Sequence, residues 1–285
     1  MNTDGHGWTQ RPLCSSVAIG VHLWKNAPMV RALIAIILLA STAAVAVDID
    51  PTKVVDLTYP FGADTIYWPT AKHFALDEVH RGDTPAGYWY EANNYCAAEH
   101  GGTHMDAPVH FARGGATADQ VPVTAGIGPL VRVDVSTQAA RDADYRLTRA
   151  DLEAWEKANG RIPKGAIVVM YSGWGSRWPD AKRYLGTDVA GDVANLHFPS
   201  FSQEAAEFLV RERDINGIGV DTASIDYGPS TDFIVHRVIN GAGKPGFENL
   251  AHLDRVPAKG ATLIALPMPI AGGSGGPLRA VAVLP

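Results

Sequence analysis

The chain reads as a single mixed α/β domain, built round a mixed sheet partly closed on itself. Apolar runs of strand length outnumber helical segments, and the two kinds of segment do not alternate in the way β-α-β units require. Two absences narrow the chemistry. No glycine fingerprint for a nucleotide is present, and there is no Gly-x-Ser-x-Gly nucleophile elbow.

The elements follow in order. Residues 54–58 read as a first strand. Residues 61–95 carry Tyr67, Trp68, Tyr88, Trp89 and Tyr90 among glycines, prolines and charges with no clean period, and are candidates for pocket walls, a subunit contact or core filling. Residues 130–135 alternate apolar and polar side chains, as a half-buried strand does. Thr148 is a good N-cap with Asp151 three residues on; Leu152 and Trp155 share one face, and Asn159, Gly160 and Pro163 stop the helix. Residues 166–171 are continuously apolar, which predicts a central strand buried on both faces. Ser202 caps a second helix that turns Ala205, Phe208 and Leu209 to the core and places Arg211 and Arg213 where the helix dipole favours cations. Residues 217–220 and 261–266 read as further buried strands, 232–239 as a short helix and 278–284 as the last strand.

At 285 residues the chain is within the range of one α/β domain, and 46% hydrophobic with 19% charged residues is ordinary globular composition. The net charge of -6 is modest and no Lys/Arg-rich run occurs, so neither nucleic acid nor an anionic membrane is an expected partner. Arg31 precedes the apolar residues 32–40 and the small residues 41–46, the layout of a secretory signal peptide cut near Ala46. The apolar core falls short of the roughly 20 residues of a membrane span, leaving an uncleaved anchor as the alternative. Because that core begins just after Met29, we expect Met29 to be the true start, residues 1–28 to lie outside the product, 29–46 to be the signal and 47–285 the functional domain, secreted or periplasmic. Cys14 then falls in the removed segment, leaving Cys96 without an intrachain partner; the expectation is a small buried residue rather than a reactive thiol.

Chemistry concentrates in His100-Gly101-Gly102-Thr103-His104-Met105-Asp106-Ala107-Pro108-Val109-His110-Phe111. Two glycines between His100 and His104 argue against a helix, since each costs a helix interior roughly 1 kcal/mol relative to alanine. They favour a tight turn, and Pro108 pushes Ala107 into extended backbone. On an extended strand His104, Asp106 and His110 face the same way, with His100 folded back toward them. Imidazole and carboxylate without a thiolate set suit an open site for zinc, manganese or iron(II). Further ligands are sought among His197, Asp221, Asp226, His236, Glu248 and His252, and the residues alone do not choose among them.

The run at 100–111 resembles the His-x-Gly-Thr-His-x-Asp-x-Pro-x-His signature of the cyclase superfamily, which contains bacterial kynurenine formamidases and isatin hydrolases. The similarity extends over roughly 54–285, with Gly219-Val220-Asp221-Thr222, His236, Glu248 and Gly276-Pro277-Leu278-Arg279-Ala280 in support. The resemblance implies a swivelling β/β/α fold, assembled as a homodimer or higher oligomer. It implies that His100, His104 and Asp106 bind one divalent metal, zinc first and manganese as the alternative. Asp106 would bridge to a second metal held by His236 and Glu248, and His110 would carry the proton. Trp68 corresponds to a substrate-stacking tryptophan in a Trp-Pro-Gly-Asp setting, but here Pro69-Thr70-Ala71 follows it.

The expected activity is therefore metal-dependent hydrolysis of a small-molecule carbon–nitrogen bond, most like an arylformamidase of tryptophan breakdown to kynurenine. Hydrolysis of a cyclic amide or lactone, as by an isatin hydrolase, is the alternative within enzymes. Export favours a substrate other than the intracellular formamide, whereas Glu248 supplies the carboxylate of a two-metal site that some single-metal relatives lack. A metal- or ligand-binding module without turnover is the alternative outside enzymes; it would have no need of His110 beside a full ligand set.

Overall fold

One long strand that pairs with three different neighbours decides the architecture. The computed structural model describes residues 49–285, so the expected start at Met29 and the signal segment 29–46 lie outside the described residues. The strands are β1 Val54–Asp56, β2 Ala75–Asp83, β3 Trp89–Cys96, β4 His104–Asp106, β5 Ile127–Asp134, β6 Arg146–Leu147, β7 Ile167–Tyr171, β8 Ser200–Phe201, β9 Gly217–Val220, β10 Gly246–Glu248, β11 Thr262–Pro267 and β12 Gly275–Val283. The later part of β12 pairs with β11 and β1, while Gly275, Gly276 and Pro277 turn to pair with Asp106, Met105 and His104 of β4. With β4 also paired to β10, the order β12-β11-β5-β7-β9-β10-β4 returns to β12 as a closed seven-strand barrel, with β1 outside the ring. The pairings β5-β7, β7-β9 and β9-β10 are parallel and the others in the ring antiparallel, so the sheet is mixed as expected. The strand order establishes this closed barrel and goes no further toward a swivelling β/β/α layering.

The apolar run at β7 explains why the barrel needs helices. Ile167 and Val169 join the cluster containing Met105, Leu130, Phe247, Leu263 and Ala280, whereas Val168 and Met170 face the opposite cluster. That second cluster receives Leu152 and Trp155 from the helix Arg149–Asn159, Ala205 and Phe208 from Gln203–Phe208, and Val235 and Ile239 from Ile234–Gly241. Both faces of the strand are buried, which is what its lack of alternation encodes.

The caps are as read: Thr148 and Asp151 form a reciprocal capping box, and Ser202 accepts from Ala205 N–H. Arg213 has a more specific partner than the helix dipole, since its guanidinium holds the Glu156 carboxylate through two contacts of 2.6 and 2.7 Å.

The expectation for Cys96 is corrected, and the open reading of residues 61–95 is narrowed. Residues 61–95 contain a hairpin of β2 and β3 that is exposed along nearly its whole length, including Leu76, Val79, Tyr88, Trp89, Tyr90 and Tyr95. A ribbon wet on both faces has no buried side to impose alternation, so it left no period to read. Cys96, at the end of that ribbon, is exposed rather than buried.

Candidate active site

The site is assembled where β4 meets β10. Their antiparallel register sets His104 opposite Glu248 and Asp106 opposite Gly246, which brings a strand's two ligating side chains to a carboxylate distant in sequence. Gly101 and Gly102 make the approach to β4. Gly102 adopts φ +57°, and a Cβ on Gly101 would lie 2.0 Å from the Tyr67 ring, so the turn is held against an aromatic wall that only glycine admits. His100 is folded back, as expected. After Ala107, which is extended, Pro108–His110 forms a 3-10 turn instead of continuing the strand. His110 still reaches the cluster, its ring stacked on His100 at 3.9 Å between centroids.

His236 arrives on the helix Ile234–Gly241, whose first residue follows Phe233 in left-handed backbone at φ +49°. Its Nε2 is 3.3 Å from Asp106 Oδ2 and 3.4 Å from Glu248 Oε1. His104 Nδ1 pairs at 2.9 Å with the Gly102 carbonyl, an acceptor only, so Nδ1 carries the proton there and, in the neutral ring, Nε2 has the free lone pair. That Nε2 is buried without a hydrogen-bond partner, yet lies 3.3 Å from Asp106 Oδ1 and 3.4 Å from Glu248 Oε2. A lone pair facing two carboxylate oxygens is repulsive unless a proton or a metal cation stands among them. The donor set thus fits a divalent metal.

Electrostatics agree. Burial would raise Asp106, but the three imidazoles of His100, His104 and His236 set round it outweigh burial and hold the carboxyl well below its ordinary value. Burial and then the Asp106 charge push Glu248 up. Burial opposes a charge on His104, but Asp106 and Glu248 push it up to about 9; His236 rises well above its ordinary value for the same reason, with Asp226 contributing. The cluster attracts cationic charge in a dry setting. His110 behaves oppositely, as burial and the neighbouring imidazoles outweigh the pull of Asp106 and lower it to about 4.

Two three-donor groups share Asp106: His104 with Glu248, and His100 with His110. The resemblance groups His100 with His104 and Glu248 with His236; Asp106 is the common member of both arrangements, and His236 Nε2 stays beside both Asp106 and Glu248. His100 is further tied through Nε2 to Ser274 Oγ at 2.9 Å, and Ser274 donates through Oγ and N–H to Glu99. Of the remaining candidates, His197 pairs with Asp144 at the surface and His252 contacts the Asp56 carbonyl, both outside the cluster. Asp221, pushed up to about 6 by burial, accepts from Ser172 and Trp174 and braces that loop.

Above the cluster lies a cavity of about 300 Å³. Trp68 lines it as expected, packed against Phe233 at 6.3 Å between ring centroids, and Ile66, Ala71, Phe111 and Ala223 complete an apolar wall. Phe111 and Phe233 escaped the sequence reading; Phe111 closes the quoted motif and could have been found there, whereas nothing local marks Phe233. Among the described residues, no Lys or Arg lines it.

The cyclase family model matches residues 55–227. The chain belongs to the cyclase family. It is 33% identical over 250 residues to the isatin hydrolase of Roseibium aggregatum, covering 82% of this chain and 92% of that protein. It is 29% identical over 182 residues to the kynurenine formamidase of Salinibacter ruber, covering 64% of this chain and 74% of that one. The crystal structure of an isatin hydrolase bound to the product analogue thioisatinate superposes with a TM-score of 0.74 at 29% identity, over 92% of this chain and all of that one. Within the cyclase family, the isatin hydrolase of Roseibium aggregatum thus matches more of the chain, at higher identity, than the Salinibacter ruber formamidase.

Proposed function

We propose that this protein is an exported, metal-dependent hydrolase that opens the ring of a cyclic aryl amide of the isatin class. One observation carries the choice over the formamidase first expected from sequence: the cavity joins apolar, largely aromatic walls to a polar floor, and among the described residues no Lys or Arg lines it. N-formylkynurenine carries an amino-acid head whose carboxylate would call for a cationic partner in such a confined space. Isatin is small, flat and uncharged, and asks only for apolar walls and a polarising group at its carbonyl. The similarity to isatin hydrolases supports the same order.

His100, His104, Asp106, His236 and Glu248 would hold the metal or metals, with zinc first and manganese as the alternative. A divalent cation there supplies Lewis acidity, polarising the amide carbonyl and bringing the ionisation of water down from 15.7 to about 7. His110 does the proton work. Its lowered pKa keeps the imidazole neutral at pH 7, so a ring nitrogen accepts a proton from water and returns it to the amide nitrogen as the C–N bond breaks and the C–O bond forms. Trp68, Phe111 and Phe233 exclude water and fix the plane of the aromatic ring.

Export rests on residues 29–46, and a homodimer or higher oligomer on the family resemblance. The test of the activity is turnover of isatin and of N-formylkynurenine by the same metal-loaded sample. Ring opening of isatin in clear preference supports the proposal, and formyl release in preference would restore the arylformamidase reading.

A further inference from the structure

Neither His236 nor Glu248 is held in place by its own element alone. Both are gripped by the adjacent pair Ile225 and Asp226, which lies between β9 and the helix Ile234–Gly241. The Ile225 N–H donates to Glu248 Oε1 at 2.7 Å. The Asp226 carboxylate, 1% exposed, meets the start of the helix from ten residues upstream. Its Oδ1 accepts from Val235 N–H at 3.0 Å, and its Oδ2 accepts from His236 N–H at 3.0 Å and lies 2.7 Å from His236 Nδ1.

This arrangement does two jobs. The helix start has Phe233 in left-handed backbone with no side-chain cap, and the local Asp232 reaches only Ile234 N–H at 3.3 Å, so the carboxylate from outside satisfies the next two N–H groups. The same carboxylate fixes the imidazole. A carboxylate is an acceptor, so it draws the proton of His236 to Nδ1 and leaves the Nε2 lone pair to face Asp106 and Glu248. We propose that Ile225-Asp226 is the positioning element for this half of the cluster, with Asp226 the residue that orients His236 toward a bound cation. The inference rests on the reading of the cluster as a metal site, and generalises a common arrangement in which a ligating histidine is set by an outer carboxylate.

The test is a double-mutant cycle on zinc affinity in the full chain, measured by competition with a chromogenic chelator, with Asp226→Asn, His236→Ala and the pair together. Asp226→Asn is expected to weaken zinc by about 10- to 100-fold. In the His236→Ala background it should cost almost nothing, because its effect passes through that imidazole. An equal loss in both backgrounds would mean that Asp226 only supports the helix and would overturn the proposal, as would no loss in either. Failure of the wild-type protein to bind zinc would overturn the metal site and this proposal together. Should Asp226→Asn not fold, Asp226→Glu, which keeps the charge and moves the carboxylate by one methylene, takes its place in the cycle with the same expected pattern.

Discussion

Replacing Gly275 with alanine tests the site through a residue that holds no ligand. Gly275 sits opposite Asp106 in the β12-β4 ladder, and a methyl group there would lie 2.6 Å from His100 Cε1 and 2.5 Å from the Met105 carbonyl oxygen. Ordinary contact begins near 3.4 Å, so the imidazole must retreat by about 0.8 Å and the β12-β4 ladder must open by about 0.9 Å at the Met105 carbonyl. His100 is stacked on His110 and tied to Asp106 at 2.6 Å, so its retreat moves the proton carrier and a ligand together. Overpacking of this kind costs roughly 1–3 kcal/mol. In a domain of this size that corresponds to a melting temperature lower by about 2–12 °C. A displacement approaching 1 Å in the reacting geometry costs about 100-fold in rate. The assay is kcat/KM for isatin at saturating metal, with a thermal melt of the same sample. Gly275→Ala with wild-type kcat/KM and melting temperature would refute the placement of His100 against β12.

Other outcomes follow from the same geometry. Removing metal with a chelator should lower the melting temperature, because a cation bound among His104, Asp106 and Glu248 stabilises only the folded chain; metal at 100 times its Kd contributes about 2.7 kcal/mol, and identical melts with and without chelator would contradict this. With His110 lowered to about 4, the base is neutral and competent above that pH and is lost only as pH falls through it; a limb of kcat/KM for isatin at about 7 belongs to the water ionised by the cation and should survive in His110→Asn, and loss of a limb at about 6.5 in that variant would contradict the burial of His110. His110→Asn should cut kcat by about 100- to 10,000-fold without releasing metal, and loss of metal in parallel would make His110 a ligand, as its grouping with His100 and Asp106 allows. Cys96 should react with a thiol reagent in the native protein without denaturant, and protection until unfolding would show that the hairpin is covered, as by a second subunit.

The parts of the fold legible in sequence are those with a local signature. Residues 166–171 announced a strand buried on both faces because neither face could be polar, and Thr148 with Asp151 announced a helix start because both partners lie within one turn. Barrel closure was only partly legible, since it depends on Gly275 finding Asp106 across the whole chain. In the site, the spacing of His100, His104, Asp106 and His110 was visible because they share one short stretch. His236 and Glu248 required the family resemblance, and Asp226 was merely one carboxylate among several. What singles it out is a long-range contact to a helix start, and no local pattern encodes that. The ranking of substrates needed the cavity itself, because a lining without cations is assembled from residues scattered between Ile66 and Asn249.

The central claim is tested most directly by isatin turnover in matched samples of the same protein, metal-depleted and then reloaded with zinc or manganese, with metal content measured on each. The account predicts no ring opening without metal and its return on reloading, at a rate well above that for N-formylkynurenine. Metal bound at the cluster with no opening of isatin, or opening that survives full metal removal, would contradict it.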